Sequence, residues 1–230
     1  MTADAARAFA NRGLVAAAVA LVLLATTMIF PEIDLTVASW YYVPAKGFPL
    51  ARLPIFSFIM VALPDLVIGA TTLAAVIGIA ATIRREEIWG ITGKKALFLA
   101  ISLAAGPGLV VNTLLKDHWG RARPHQIVEF GGSAQFSPAV LWSDQCARNC
   151  SFPSGHAALG FWLIAFAMIL PAPWRGIATG VALMIGTLVG LMRIAQGAHF
   201  LSDTLAAGLI VFGINYLTKL LILDRQTPVA

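Results

Sequence analysis

Six apolar runs set the pattern of this chain: residues 13–30, 65–83, 96–115, 157–170, 176–191 and 201–223. Most approach the length at which a helix crosses a bilayer, about 20 residues. The first follows a short polar start with Arg7 and Arg12. It is read as a retained span or as the apolar part of a cleaved leader; it is longer than a usual leader core and no clean Ala-x-Ala site follows, which favours the span. Residues 31–52 form a polar connection whose Trp40, Tyr41 and Tyr42 suit a membrane interface. Residues 53–63 are apolar but short and end at Pro64-Asp65. They read as an interfacial segment, with Asp65 as the N-cap of the second span or as a contributor to a site. Gly106-Pro107-Gly108 in the third span predicts a kink or close helix packing. The tight turn at 171–175 makes the fourth and fifth spans antiparallel neighbours. The expectation is an all-α bundle of six transmembrane helices, one domain over residues 1–230, without repeats.

Composition agrees with that pattern. Of 230 residues, 59% are hydrophobic and 12% charged, where a soluble domain carries about 25% charged. The net charge is +5, and the cations sit at the ends of the apolar runs as loop anchors do, so no nucleic-acid partner is expected. With both termini cytoplasmic, the inner side holds Arg7, Arg12, Arg84, Arg85, Lys94, Lys95, Arg175, Lys219 and Arg225. The outer side holds Lys46, Arg52, Lys116, Arg121, Arg123, Arg148 and Arg193. Lys116, Arg121, Arg123 and Arg193 lie in motifs that give them another reason to be there. Without them the basic bias is nine to three for the inner side.

Three polar segments gather at the outer ends of their spans: Lys116 to Pro124, Pro153-Ser154-Gly155-His156, and Arg193 to Asp203. Ionisable groups at such places are costly and mark function. His199 and Asp203 are four apart and share a helix face, and a carboxylate on one ring nitrogen fixes the tautomer of the other. Gly197 lets the chain turn so that Arg193 and His199 converge. The plainer alternative is a histidine capping a helix and an arginine snorkelling to head groups. Lys116, Arg123 and Arg193 offer fixed positive charge, and Ser154 and Gly155 begin a helix whose free N–H groups suit an anion. His199, with its carboxylate, suits a nucleophile, and His156, without one, a proton donor, which is the division in-line phosphoryl transfer needs. No carboxylate cluster for a metal is visible, so neither metal nor other cofactor is expected. Cys146 and Cys150 share the outward loop. They read as a disulfide in an oxidising compartment, as two free thiols, or as half of a metal site.

These segments resemble the type 2 phosphatidic acid phosphatase family, which shares its core with vanadium-dependent haloperoxidases. The family pattern is Lys-x6-Arg-Pro, then Pro-Ser-Gly-His, then Ser-Arg-x5-His-x3-Asp. It is met by Lys116 to Arg123-Pro124, by Pro153 to His156, and by Arg193, His199 and Asp203; only Met192 departs, standing where the family has serine. The match covers residues 116–203. The resemblance implies an acid phosphatase-like helical core, a phosphohistidine on His199 oriented by Asp203, and His156 protonating the leaving group and then activating water. It further implies Lys116, Arg123, Ser154, Gly155 and Arg193 as phosphate ligands. Arg121 is a further candidate phosphate contact or a solvated loop residue. His118 and His125 read as loop histidines, Phe130-Gly131-Gly132 and Gln135-Phe136 as a lid or a plain Gly-rich loop, and Trp119 as an interfacial side chain. The implied substrate is a lipid phosphate or diphosphate at the outer leaflet: undecaprenyl diphosphate, phosphatidylglycerol phosphate, phosphatidic acid or a lipid A phosphate. A lipid phosphotransferase would use the same site; a haloperoxidase or a non-enzymatic membrane protein are the remaining readings. The implied place is the bacterial inner membrane with the site facing the periplasm, or an endoplasmic reticulum membrane with the site in the lumen. The oligomeric state is not legible.

Overall fold

The structure, a computed structural model, describes residues 3–224, and of the side chains Val15 and those from residue 17 onward. The side chains of Arg7 and Arg12, and the tail with Arg225, lie outside the described residues. Among the described residues, besides short 3₁₀ turns, the helices in chain order are α1 (Ala3–Ile29), α2 (Glu32–Ser39), α3 (Pro54–Arg84), α4 (Gly93–His118), α5 (Gly155–Ile169), α6 (Ala172–Ala195) and α7 (Leu201–Ile222).

Four of these, α3, α4, α6 and α7, are long and apolar enough to cross a membrane. A fifth span is completed if Ala17–Ile29 and α2, bent by 99° at Pro31, count as one. The expected fourth span is α5, a shorter apolar helix interrupted at Leu163. Large apolar side chains such as Leu66, Leu73, Val76 and Ile83 face outward from α3, as lipid-facing residues do. Trp40 and Trp142 are exposed at one end of the bundle, and Trp89, in a connection, and Trp174, in the first turn of α6, at the other, the placement expected of interfacial anchors.

Prolines shape the helices in two places. Pro64 does not end a helix: α3 runs through it, so Asp65 is an exposed interior residue and not an N-cap. Pro107 lies in a π-helical stretch of α4, Ala104–Leu115. Pro107 lacks an N–H and cannot continue the ordinary ladder, and the wider turns are partly closed by side chains. Asn112 Nδ2 donates to Pro107 O at 2.8 Å, and Thr113 Oγ1 to Gly108 O at 3.1 Å. α4 therefore reaches Lys116 rotated relative to a plain α-helix.

The main core joins α3 to α7 around Trp162, Phe98, Leu99 and Val211, with Trp162 Nε1 donating to Ser102 Oγ at 3.0 Å. α5 and α6 approach closely at Gly160, where a Cβ would lie 2.8 Å from Gly186 Cα; small residues allow such contact between membrane helices. A second cluster, outside the bundle, packs Ala38 of α2 with Phe48, Ile127, Phe130 and Phe200. It makes the segment around Phe130, read as a lid or a plain Gly-rich loop, part of a packed cap. Trp119 is half-buried in the loop layer, its ring tilted against Phe152 with centres 5.0 Å apart and its Nε1 donating to Ala139 O.

Candidate active site

Backbone hydrogen bonds stitch the three polar segments together at the ends of α4, α5, α6 and α7. Cys150 N–H donates to Lys116 O at 2.9 Å and Ser151 N–H to Arg121 O at 2.8 Å. The loop before α5 thus runs beside the end of α4. Ser154 N–H donates to Asp203 O at 3.1 Å, and His125 N–H to Gly197 O at 3.0 Å. Cys146 and Cys150 are joined by a disulfide, with Cα atoms 5.6 Å apart.

Gly197 closes α6. It adopts φ +65, and a Cβ there would strike the Phe48 ring, so both backbone and space require glycine. The turn delivers His199 into complete burial. Its Nδ1 lies 2.7 Å from Ser151 O. A carbonyl only accepts, so Nδ1 carries the proton and Nε2 keeps a free lone pair. Asp203 Oδ2 is 3.6 Å from the same nitrogen, beyond a good hydrogen bond. The direct pairing expected from the spacing is therefore replaced by a relay. Asp203 Oδ2 accepts from Ser151 Oγ at 2.5 Å and from Phe200 N–H at 2.8 Å, and the carbonyl of that same Ser151 holds the imidazole. Burial pushes His199 down to about 3; Asp203 opposes this, while the positive charges of Lys116 and Arg193 add to it. The ring is thus neutral near pH 7, and its buried Nε2 has no hydrogen-bond partner among the described residues.

Arg121 is neither a phosphate contact nor a solvated loop residue. It is fully buried behind the site. Its Nη1 donates to Asp203 Oδ1 at 2.6 Å and to Ser202 Oγ at 2.8 Å, its Nη2 to Asp34 Oδ2 at 2.8 Å, and its Nε to Ser137 O at 2.8 Å. Its guanidinium carbon sits 4.3 Å from the Phe200 ring centre. Asp34, on α2, also accepts from Ser202 N–H at 2.9 Å and from Ser202 Oγ. It is the residue of this network that sequence reasoning missed: an acid in a polar connection looks solvated. The only signal was its position next to an apolar run.

In front of Asp203 lie the cations. A Cβ on Gly155 would meet Lys116 Nζ at 3.2 Å, so the buried ammonium stands at the start of α5, whose N-cap is Ser154. Arg123 Nη2 is anchored by Asn149, donating to its O at 2.8 Å and its Oδ1 at 3.0 Å; burial lowers its pKa, with Asp203 opposing. Arg193 Nη1 donates to Gln196 Oε1 at 2.7 Å, while its buried Nε has no partner among the described residues. Positive charge, a helix N-terminus and the unmet Nε–H of Arg193 suit an anion, and the free lone pair of His199 Nε2 suits an electrophilic centre carried by it. Among the described residues no group of three or more His, Cys, Asp or Glu side chains gathers to hold a metal ion.

His156 stands at the first turn of α5, and its Nε2 lies 3.1 Å from Met60 O of α3. In a regular α-helix that carbonyl would accept from residue 64, which is proline and has no N–H. Pro64 thus leaves Met60 O open, and His156 Nε2–H donates to it, which leaves Nδ1 outside this hydrogen bond.

The sequence model of the PAP2 superfamily matches residues 95–226. Over 120 residues the chain is 44% identical to a lipid A 4′-phosphatase of Francisella tularensis subsp. novicida, covering 52% of this chain and 54% of that protein. Over 114 residues it is 40% identical to a lipid A 4′-phosphatase of Rhizobium leguminosarum, covering 48% and 49%. Over 124 residues it is 31% identical to phosphatidylglycerophosphatase B of Bacillus subtilis, covering 50% and 54%. The chain spans about half the length of these curated relatives. The crystal structure of a transmembrane PAP2 type phosphatidylglycerolphosphate phosphatase from Bacillus subtilis matches with a TM-score of 0.56, over 93% of this chain and 98% of that one, at 21% identity. That likeness shows a shared fold.

Proposed function

The chain belongs to the PAP2 superfamily, and we propose that it is a membrane lipid phosphatase working through a phosphohistidine on His199. The observation that carries this reading is the buried, neutral His199, whose free Nε2 faces a cluster of cations. Nε2 attacks phosphorus and forms the N–P bond as the P–O bond to the lipid breaks. The leaving oxygen takes a proton from Nδ1 of His156 in its doubly protonated form, while Nε2–H stays on Met60 O. Water, giving a proton back to the same nitrogen, then attacks the phosphohistidine and releases inorganic phosphate. Lys116, Arg123, Arg193, the hydroxyl of Ser154 and the N–H of Gly155 hold the equatorial oxygens, the task metal ions perform in other phosphatases, so the reaction runs without metal. Asp203 stabilises the positive ring that forms.

Two relatives named lipid A 4′-phosphatase support a lipid A phosphate as first-choice substrate; the one named phosphatidylglycerophosphatase B supports phosphatidylglycerol phosphate as second. Arg84, Arg85, Lys94, Lys95 and Arg175, at the helix ends opposite the site, support a cytoplasmic inner face. The disulfide at the site end supports an oxidising, periplasmic outer face.

The test is phosphate release by purified protein from micelles of lipid A, phosphatidylglycerol phosphate, phosphatidic acid and undecaprenyl diphosphate, with EDTA throughout and with His199→Ala as control. One lipid turned over strongly by the wild type alone is the expected result. Activity lost to EDTA and restored by Mg²⁺ would overturn the metal-free chemistry.

A further inference from the structure

Beside the cation cluster the outer face carries a second pocket, of about 440 Å³, lined by Lys46, Arg52, His125, Arg193 and Gln196 and including Phe48. Arg193 borders both spaces: it lines this pocket, and its charge acts on His199. The lining carries three full positive charges, on Lys46, Arg52 and Arg193, and no carboxylate. Lys46 and Arg52 are exposed, and among the described residues neither side chain has an ion-pair or hydrogen-bond partner.

Both cations are held by local structure. Val43 N–H donates to Gly47 O at 2.8 Å and Gly47 N–H to Val43 O at 2.9 Å, a tight turn with Lys46 near its tip. Arg52 ends the short 3₁₀ turn Pro49–Arg52. The base of this segment is fixed where Phe48 packs against Phe130, 5.5 Å between ring centres. His125 Nδ1 donates to Gly197 O at 2.8 Å, so its Nε2 remains for a ligand. The volume is in the range that holds a small polar molecule or a sugar, and the aromatic wall offers an apolar surface to a ring.

We propose that this pocket is a second anion subsite. It takes a further phosphate or carboxylate, on a sugar or polyol head group, of the same lipid whose scissile phosphate lies between His199 and Arg193. The inference rests on the phosphatase reading for the identity of the neighbouring site. It narrows the substrate class to lipids with two separated anionic groups. Head groups with a single phosphate leave Lys46 and Arg52 unused.

The experiment measures binding without turnover. Lipid A bearing two phosphates, and phosphatidic acid bearing one, are titrated against detergent-purified His199→Ala protein with Lys46 and Arg52 intact or replaced in K46A/R52A. The replacement is expected to weaken lipid A binding tenfold or more and phosphatidic acid binding less than twofold. The charge reversal Lys46→Glu should weaken lipid A binding further, and a thermal melt on each variant checks folding. Equal loss on both lipids would make these cations general surface attractors, and no loss on lipid A would leave the pocket without this ligand; either result overturns the proposal. Wild-type protein that releases phosphate from neither lipid would count against the phosphatase reading instead, because the binding difference is read independently of catalysis.

Discussion

Replacing Pro64 with alanine should move stability and activity in opposite directions. Alanine restores a backbone N–H that can donate to Met60 O, the acceptor of His156 Nε2 at 3.1 Å. An interior proline is about 3 kcal/mol less favourable in a helix than alanine, so α3 gains up to about that amount. The gain is smaller where the bundle already accommodates the missing donor. His156 meanwhile shares or loses its acceptor. A hydrogen bond of this kind contributes about 0.5–1.5 kcal/mol net, which corresponds to a fall of about 2- to 12-fold in kcat. The phosphate ligands are untouched, so KM should stay the same. Steady-state kinetics on a micellar lipid phosphate and a thermal melt of the same preparation read both effects. A Pro64→Ala protein that is stabilised with kcat unchanged would refute the positioning of His156 by this carbonyl.

Arg121→Met should be among the most destabilising changes, by about 3–5 kcal/mol, because it leaves Asp34 and Asp203 buried without their cation. Denaturant unfolding measures it, and a variant of wild-type stability with weakened phosphate binding would return Arg121 to the site. Cys146→Ser/Cys150→Ser, or a reductant on the wild type, frees the loop whose Asn149 anchors Arg123. KM should rise several-fold, and kinetics indifferent to reduction would show the anchor to be independent of the disulfide. His199 also makes stability depend on pH. Its folded pKa of about 3 lies below the ordinary 6.5, so the unfolded chain binds the extra proton. Its contribution is full above about pH 6.5 and is lost as pH falls towards 3. Between pH 7 and 5 the wild type should lose melting temperature relative to His199→Gln, and parallel curves would contradict this burial.

The candidate site was legible because its chemistry is written in short, local spacings. Lys116 to Arg123, Pro153 to His156 and Arg193 to Asp203 each place polar groups at the end of an apolar run, and the direction of the runs puts all three at one face. The support behind the site was hidden by distance along the chain. Asp34 reaches Arg121 across 87 residues, and nothing in a polar connection distinguishes a buried acid from a solvated one. The spacing of His199 and Asp203 suggested direct contact, but it could not show that Ser151, from a different segment, would take the hydrogen bond. Pro64 read as a boundary because an interior proline removes a helix hydrogen bond and commonly ends or kinks the helix. The helix continues because the orphaned carbonyl finds a donor on α5. Pro107 between glycines signalled irregularity in α4, yet the π-helical form depends on side-chain donors at 112 and 113. The short α5 is apolar like a full span, and its break at Leu163 carries no proline or glycine to announce it.

The central claim is that His199 carries the phosphoryl group. Purified protein is mixed with a turning-over lipid phosphate, quenched within milliseconds in alkali, where phosphohistidine survives, and the peptide containing Ala198-His199-Phe200 is analysed by mass spectrometry. The account predicts one phosphoryl group on His199, enriched in His156→Ala protein, where the hydrolysis of the intermediate is slowed. Phosphate release at the wild-type rate from His199→Ala protein, or a phosphoryl group found on another residue during turnover, would contradict it.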